Sequence, residues 1–204
     1  MSLTILLLDL FGTFIFALTG AIKGIDKHLD IFGVTVLASV VGVGGGIFRD
    51  CCIGATPVIA FTNQYYLLIC ILTGIFCFVV NKYINNNIHI DKTILYLDAI
   101  GLGVFTALGT LKAISYGVPF IGVLISGVFT AIGGGLIRDV LTNELPPTVL
   151  KTDLYATASL IGGVISYIMF VFGYSTNVIF AVVSLFVFLL RIFAIKYKLQ
   201  LPRA

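Results

Sequence analysis

Seven apolar blocks follow one another along the chain, at about 3–23, 32–52, 64–83, 93–114, 118–140, 152–172 and 175–196. Each is long enough for an α-helix to cross the hydrocarbon of a bilayer, which takes roughly 20 apolar residues. The breaks between them are short. The most polar runs from Asn85 to Asp91, Pro57 follows the second block, Pro146 and Pro147 follow the fifth, and Gly173 precedes the last. The pattern predicts an all-α integral membrane protein of seven transmembrane helices, a single membrane domain over residues 1–204 with no appended soluble domain. Met1 to Leu8 lacks a basic leader and reads as the start of the first span.

Composition agrees: 59% of residues are hydrophobic and 10% charged, too little polarity for a surface facing water. Tryptophan is absent, which leaves Tyr and Phe for the interfacial belt. Cys51, Cys52, Cys70 and Cys77 have no metal-ligand spacing and read as small buried apolar residues, so no metal is expected. No basic cluster interleaved with aromatics points to nucleic acid, and no soluble partner is evident.

The basic residues set an orientation. With seven spans, Lys23, Lys27, Lys82, Lys92, Lys151, Arg191, Lys196, Lys198 and Arg203 all fall on one side. Lys112 falls on the other. Positive charge marks the cytoplasmic face, so the N-terminus is expected outside and the C-terminus inside.

Within the apolar pattern lies a repeat at a constant offset of 89 residues. Asp9 and Gly12 align with Asp98 and Gly101, Lys23 with Lys112, Pro57 with Pro146, and Tyr66 with Tyr155. Gly44-Gly45-Gly46-Ile-Phe-Arg49-Asp50 aligns with Gly133-Gly134-Gly135-Leu-Ile-Arg138-Asp139. Repeat one covers about 3–83, repeat two about 92–172, and the helix at about 175–196 stands outside both. Three spans per copy is an odd number, so the second copy inserts upside down, an arrangement that frames transport pathways in many membrane proteins.

Chemistry concentrates in the repeated motif. Three successive glycines cost roughly 3 kcal/mol of helix propensity against alanine. They read either as a kinked or unwound stretch whose carbonyls could coordinate a cation, or as a close helix contact through Gly42-x-x-x-Gly46. Their symmetric duplication favours the first. Arg49, Asp50, Arg138 and Asp139 lie within spans, where a charge costs about 2.5–3.5 kcal/mol and normally finds a partner. Topology suggests an outer pair, Asp9 with Arg49, and an inner pair, Asp98 with Arg138, each a gate or a brace. Lys112 reads as a cation in a water-filled mouth that feels the membrane voltage, or as one snorkelling to the interface. Thr106, Ser115, Ser126 and Thr130 offer hydroxyls for lining a pathway or for bonding back to their helices. His28 and His89 fall in connections, no catalytic constellation is present, and no cofactor is expected.

The doubled GGG-x-x-R-D motif, the three-plus-three-plus-one spans and the 89-residue repeat resemble the prokaryotic trimeric intracellular cation (TRIC) channels over nearly the whole chain. The resemblance implies a homotrimer with a pore in each protomer, bordered by kinked second and fifth helices and passing K⁺ and Na⁺. It implies pore glycines at Gly44 to Gly46 and Gly133 to Gly135 and a voltage-responsive lysine at Lys112. A bound lipid is a further ligand it admits. The chain lacks the lysine-rich motif of the animal phosphoinositide-binding members, and a prokaryotic inner membrane is the expected location. Bacterial members of the broad family resemble carriers of small amino acids such as glycine, which stands as the alternative function.

Overall fold

The computed structural model describes residues 3–81, 90–145 and 154–199. These form eight helices: α1 (Leu3–Asp26), α2 (Ile31–Cys52), α3 (Ile59–Thr62), α4 (Gln64–Asn81), α5 (Ile90–Ser115), α6 (Phe120–Leu141), α7 (Ala156–Val171) and α8 (Thr176–Tyr197). Six are long and apolar enough to span a bilayer, and α7 is a shorter apolar helix. No strand occurs among the described residues. The seven anticipated spans are present with shifted ends. Ile90 and Asp91, which read as loop in the sequence, begin α5, and residues 154 and 155, which read as helix, precede α7. The four-residue α3 has no counterpart among the anticipated spans. Residues 85–89 and Pro146, Pro147, Lys82, Lys151 and Arg203 lie outside the described residues.

Each repeat is a three-helix unit. α1, α2 and α4 pack on one another, as do α5, α6 and α7, and the units meet where α1 crosses α5 and α2 crosses α6. Helix ends are specified locally and in register. Asp30 caps α2 by accepting from the Gly33 N–H at 2.7 Å. Chain reversal after α1 uses a left-handed residue at His28 (φ 56°), and its mate in repeat two is Gly117 (φ 70°). The same pairing recurs after the glycine helices, at Gly54 (φ 71°) and Asn143 (φ 56°). Each closes with an amide bonding five residues back, Ala55 to Asp50 and Glu144 to Asp139, which satisfies a terminal carbonyl.

Lipid accounts for the large apolar surface. Leu3, Leu7, Phe11 and Phe14 make an exposed stripe on α1, and α4 and α8 present similar stripes. α5 has little of this freedom, being packed against α1, α6, α7 and α8. Gly103, the mate of exposed Phe14, is where α8 comes closest: a Cβ there would collide with the backbone oxygen of Ser184.

Candidate functional site: two buried charge clusters flanking a phenylalanine pair

Both glycine triplets lie in uninterrupted helix, so neither is unwound. The middle glycines make the α2–α6 crossing. A Cβ at Gly45 would collide with the Thr130 carbonyl, and one at Gly134 with the Val41 carbonyl. Val41 and Thr130 are themselves repeat mates, so the contact is two-fold symmetric. The third glycines do something else. A Cβ at Gly46 would meet only Arg49 Nη2, at 3.7 Å. One at Gly135 would sit 3.6 Å from Arg138 Nη2, 3.7 Å from the Tyr155 hydroxyl and 3.9 Å from Asp98 Oδ2. The triplet thus joins close packing to an opening beside a charge.

At the Arg138 end, the anticipated pair forms. Arg138 Nη1 and Nη2 donate to the two oxygens of Asp98 at 2.9 and 3.0 Å, a bidentate fork. Its Nε donates to Asp139 Oδ1 at 2.9 Å, and Nη1 also reaches Thr19 Oγ1 at 3.0 Å on the other repeat. All these groups are buried. Tyr155 stands beside them, 1% exposed, and its hydroxyl has no hydrogen-bond partner among the described residues.

At the Arg49 end, the anticipated Asp9–Arg49 pair is absent. Asp9 Oδ2 accepts instead from the Tyr66 hydroxyl at 2.7 Å. Arg49 donates from Nε to Asp50 at 2.8 Å and has no counterpart of the Thr19 contact, because the mate of Thr19 is Leu108. Asp50 is held further by Lys112 Nζ, at 2.7 and 2.8 Å from its two oxygens, and by the Ile59 amide at the start of α3. Lys112 therefore bridges α5 to α2 and does not snorkel freely. Between Asp9 and Arg49 a small cavity of about 20 Å³ remains, bordered also by Thr13, Gly46, Tyr66 and Phe105. That is room for about one water.

Phe105 and its mate Phe16 meet across the repeat interface, tilted at 47° with ring centroids 4.9 Å apart. Phe16 reaches Gly101 and Gly134, and Phe105 reaches Gly12 and the cavity. The apolar pair thus lies between the two clusters.

Several sequence expectations change. Arg191, which the charge pattern places among the anchors at the end of its span, is fully buried, with its guanidinium 5.0 Å from the Tyr155 ring centroid. The Arg138 cluster so gathers Arg138, Arg191, Asp98 and Asp139, and the Arg49 cluster gathers Arg49, Lys112, Asp9 and Asp50. Each sums to zero. The hydroxyls of Thr106, Ser126 and Thr130 are buried in helix braces rather than along the cavity: Thr106 donates to Ser159, Ser126 to the Gly109 carbonyl and Thr130 to the Ser126 carbonyl. Ser115 donates to the Lys112 carbonyl. Cys51 and Cys52 are exposed, and only Cys70 is fully buried. Tyr66 and Tyr155 carry roles that sequence reasoning missed, though their alignment in the repeat was a signal. Among the described residues no group of side chains could hold a metal ion.

Lys23, the mate of Lys112, takes a different partner. It meets Glu144 at 2.9 Å and Asp26 at 3.5 Å, while Lys27 meets Glu144 at 2.7 Å. Burial pushes the Glu144 carboxyl up, but its bonds to Lys27 and Lys23 outweigh this and hold it below the ordinary glutamate value.

Fold and site together define an integral membrane protein of the inverted-repeat type. The chain belongs to the family described as "Glycine transporter", whose model matches twice, at residues 6–82 and 95–171, and the two matches are again offset by 89 residues. A "UPF0126 membrane protein" of Vibrio cholerae is 39% identical over 96% of this chain and 81% of its own length. The inner membrane protein YadS of Escherichia coli is 37% identical over 96% of this chain and 93% of its own. The fold is that of the prokaryotic TRIC channels. The crystal structure of the trimeric intracellular cation channel orthologue from Rhodobacter sphaeroides matches with TM-score 0.89 and 33% identity, covering 97% of this chain and 100% of that one.

Proposed function

We propose that this protein is a cation channel that conducts K⁺ and Na⁺ along the interface of its two repeats. The pathway runs through each protomer of a homotrimer, bordered by α2 and α6. The observation that carries the reading is the placement of two charge clusters of zero net charge on either side of the Phe16–Phe105 pair. Charges buried this deeply are costly, and in membrane helices they mark ion pathways. The likeness to the Rhodobacter channel orthologue supports cations as the permeant species and the trimer as the assembly. The bacterial inner membrane is the setting supported by YadS. The charge pattern supports the N-terminus outside, with the Arg49 cluster facing out and the Arg138 cluster facing in.

With Asp98 forked on Arg138 and Phe16 against Phe105, this arrangement of side chains is closed at the Arg138 end. Recording from the purified protein in a planar bilayer with KCl tests the reading. Discrete unitary K⁺ currents support it, and a silent bilayer at all voltages rejects it.

A second reading, a carrier of glycine, is favoured by one observation. Asp9 and Arg49 border the same cavity without bonding each other, so a carboxylate and a guanidinium are both at hand for the ammonium and carboxylate of an amino acid. Uptake of labelled glycine into liposomes, with no unitary current, would replace the channel by the carrier.

A further inference from the structure

The two repeats hold the same three side chains in opposite arrangements. In repeat one the aspartate (Asp9) is bonded to the tyrosine (Tyr66), and the arginine (Arg49) stands off across a cavity. In repeat two the aspartate (Asp98) is bonded to the arginine (Arg138), and the tyrosine (Tyr155) stands off with its hydroxyl unbonded among the described residues. The residues are mates at the 89-residue offset, so each repeat displays a geometry its partner's backbone can also hold. A buried hydroxyl without a partner costs free energy, and here an acceptor is close by. Tyr155 Oη and Asp98 Oδ2 both lie against the Cβ position of Gly135, and glycine leaves that space empty.

The geometry points to Tyr66 and Tyr155 as the gating residues of the pathway: each is the alternative partner of its repeat's aspartate, which exchanges arginine for tyrosine when its end of the pathway opens. Opening at the Arg138 end moves Asp98 from the Arg138 fork onto the Tyr155 hydroxyl and leaves Arg138 on its neighbour Asp139, as Arg49 is now on Asp50. Closing at the Arg49 end moves Asp9 from Tyr66 onto Arg49. No proton need transfer, since the phenol donates a hydrogen bond to a carboxylate in either tyrosine-bound state. Two features bias the present arrangement, and a third favours the exchanged one. Thr19 adds an acceptor for Arg138 that Leu108 cannot supply for Arg49. Lys112 and the Ile59 amide hold Asp50, so Arg49 is not needed to satisfy it. Arg191, against the Tyr155 ring, keeps a positive charge beside that tyrosine once Arg138 lets go.

This inference rests on the reading that a pathway passes between the two clusters, and two measurements separate the claims. The first is K⁺ flux into liposomes by Tyr155→Phe, together with its thermal unfolding. The hydroxyl is unused in the present state, so stability should match the wild type. Flux should fall about tenfold or more, because the open state loses a hydrogen bond to a charged group. Wild-type flux, or a clear loss of stability, overturns the exchange. The second is magic-angle-spinning NMR of Cζ-labelled tyrosine, with Tyr155 assigned through Tyr155→Phe. In the wild type Tyr66 should read as bonded to carboxylate and Tyr155 as free. In Arg138→Gln, or in Arg138→Lys where the glutamine variant does not fold, Tyr155 should become bonded to Asp98. A Tyr155 that stays free in the variant overturns the exchange whatever the protein transports. A wild type that carries no K⁺ while Tyr155 switches rejects conduction and leaves the exchange standing.

Discussion

Repeat one and repeat two descend from one pattern, yet they solve the same electrostatic problem differently. Both must keep an arginine and two aspartates inside a membrane. Repeat two does so chiefly with one arginine, Arg138, which bonds two carboxylates and a threonine at once. Repeat one divides the work among several groups. Tyr66 serves Asp9, while Lys112 and the Ile59 amide serve Asp50. The lesson is that identical motifs do not fix identical contacts. The neighbours decide, and among the described residues they differ because α8 packs mainly on repeat two and α3 is seen only in repeat one.

Equivalent substitutions should therefore have unequal costs, and the largest contrast lies in the arginines. Arg138→Ala leaves Asp139 without its arginine and Asp98 with at most the Tyr155 hydroxyl, and should cost about 3–5 kcal/mol of unfolding free energy. Arg49→Ala leaves every aspartate with a partner and should cost about 1–3 kcal/mol. Chemical unfolding of the purified variants in detergent measures both, and equal losses would break the comparison.

A second contrast runs within each triplet. Gly45→Ala and Gly134→Ala force the α2 and α6 backbones apart and should cost about 1–3 kcal/mol. Gly46→Ala and Gly135→Ala add a methyl group at ordinary contact distance and should fall within about 0.5 kcal/mol of the wild type. The same unfolding measurement reads both pairs. A third contrast concerns the face that α8 covers. Gly103→Ala pushes on the Ser184 backbone and should lower the melting temperature, whereas Phe14→Ala, on the lipid-facing mate, should leave it nearly unchanged.

The smallest effect is a pH dependence confined to one end. Glu144 has its carboxyl held below the ordinary glutamate value, so its contribution is complete above the unfolded-state value and is lost as pH falls through the lowered folded value. Its exposed setting limits that contribution to below about 1 kcal/mol. Glu144→Gln should lower the melting temperature slightly at neutral pH, where the carboxylate is charged, and match the wild type at low pH, where it is protonated. A variant with the full wild-type acid dependence would assign it elsewhere. The mate of Glu144 is Ala55, so no matching acid effect is expected from that position.

Much of this is legible in the sequence because bilayer thickness and backbone satisfaction leave few alternatives to apolar helices. The 89-residue register carries the inverted repeat, and topology places Asp98 with Arg138. What escapes a reading of the sequence depends on side-chain competition. Tyr66 and Tyr155 sit near span starts, where tyrosine ordinarily reads as interfacial belt. Arg191 resembles an anchor by its place late in the chain, although it lies more than a turn inside its helix, ahead of Lys196. Topology places Asp9 with Arg49 as readily as Asp98 with Arg138, and the two ends differ because Tyr66 takes Asp9 and Leu108 stands where Thr19 does. Four residues are too few for any periodicity, which hides α3.

The bond between Lys112 and Asp50 bears on electrical sensitivity. An ammonium locked to a carboxylate moves through a membrane field as a dipole, and the field does almost no net work on it. An unaccompanied elementary charge crossing the whole potential would receive about 2.3 kcal/mol per 100 mV. Lys112 can therefore act as a gating charge only in a transition that parts it from Asp50, and the steepness of any voltage response would count how many such separations accompany each opening.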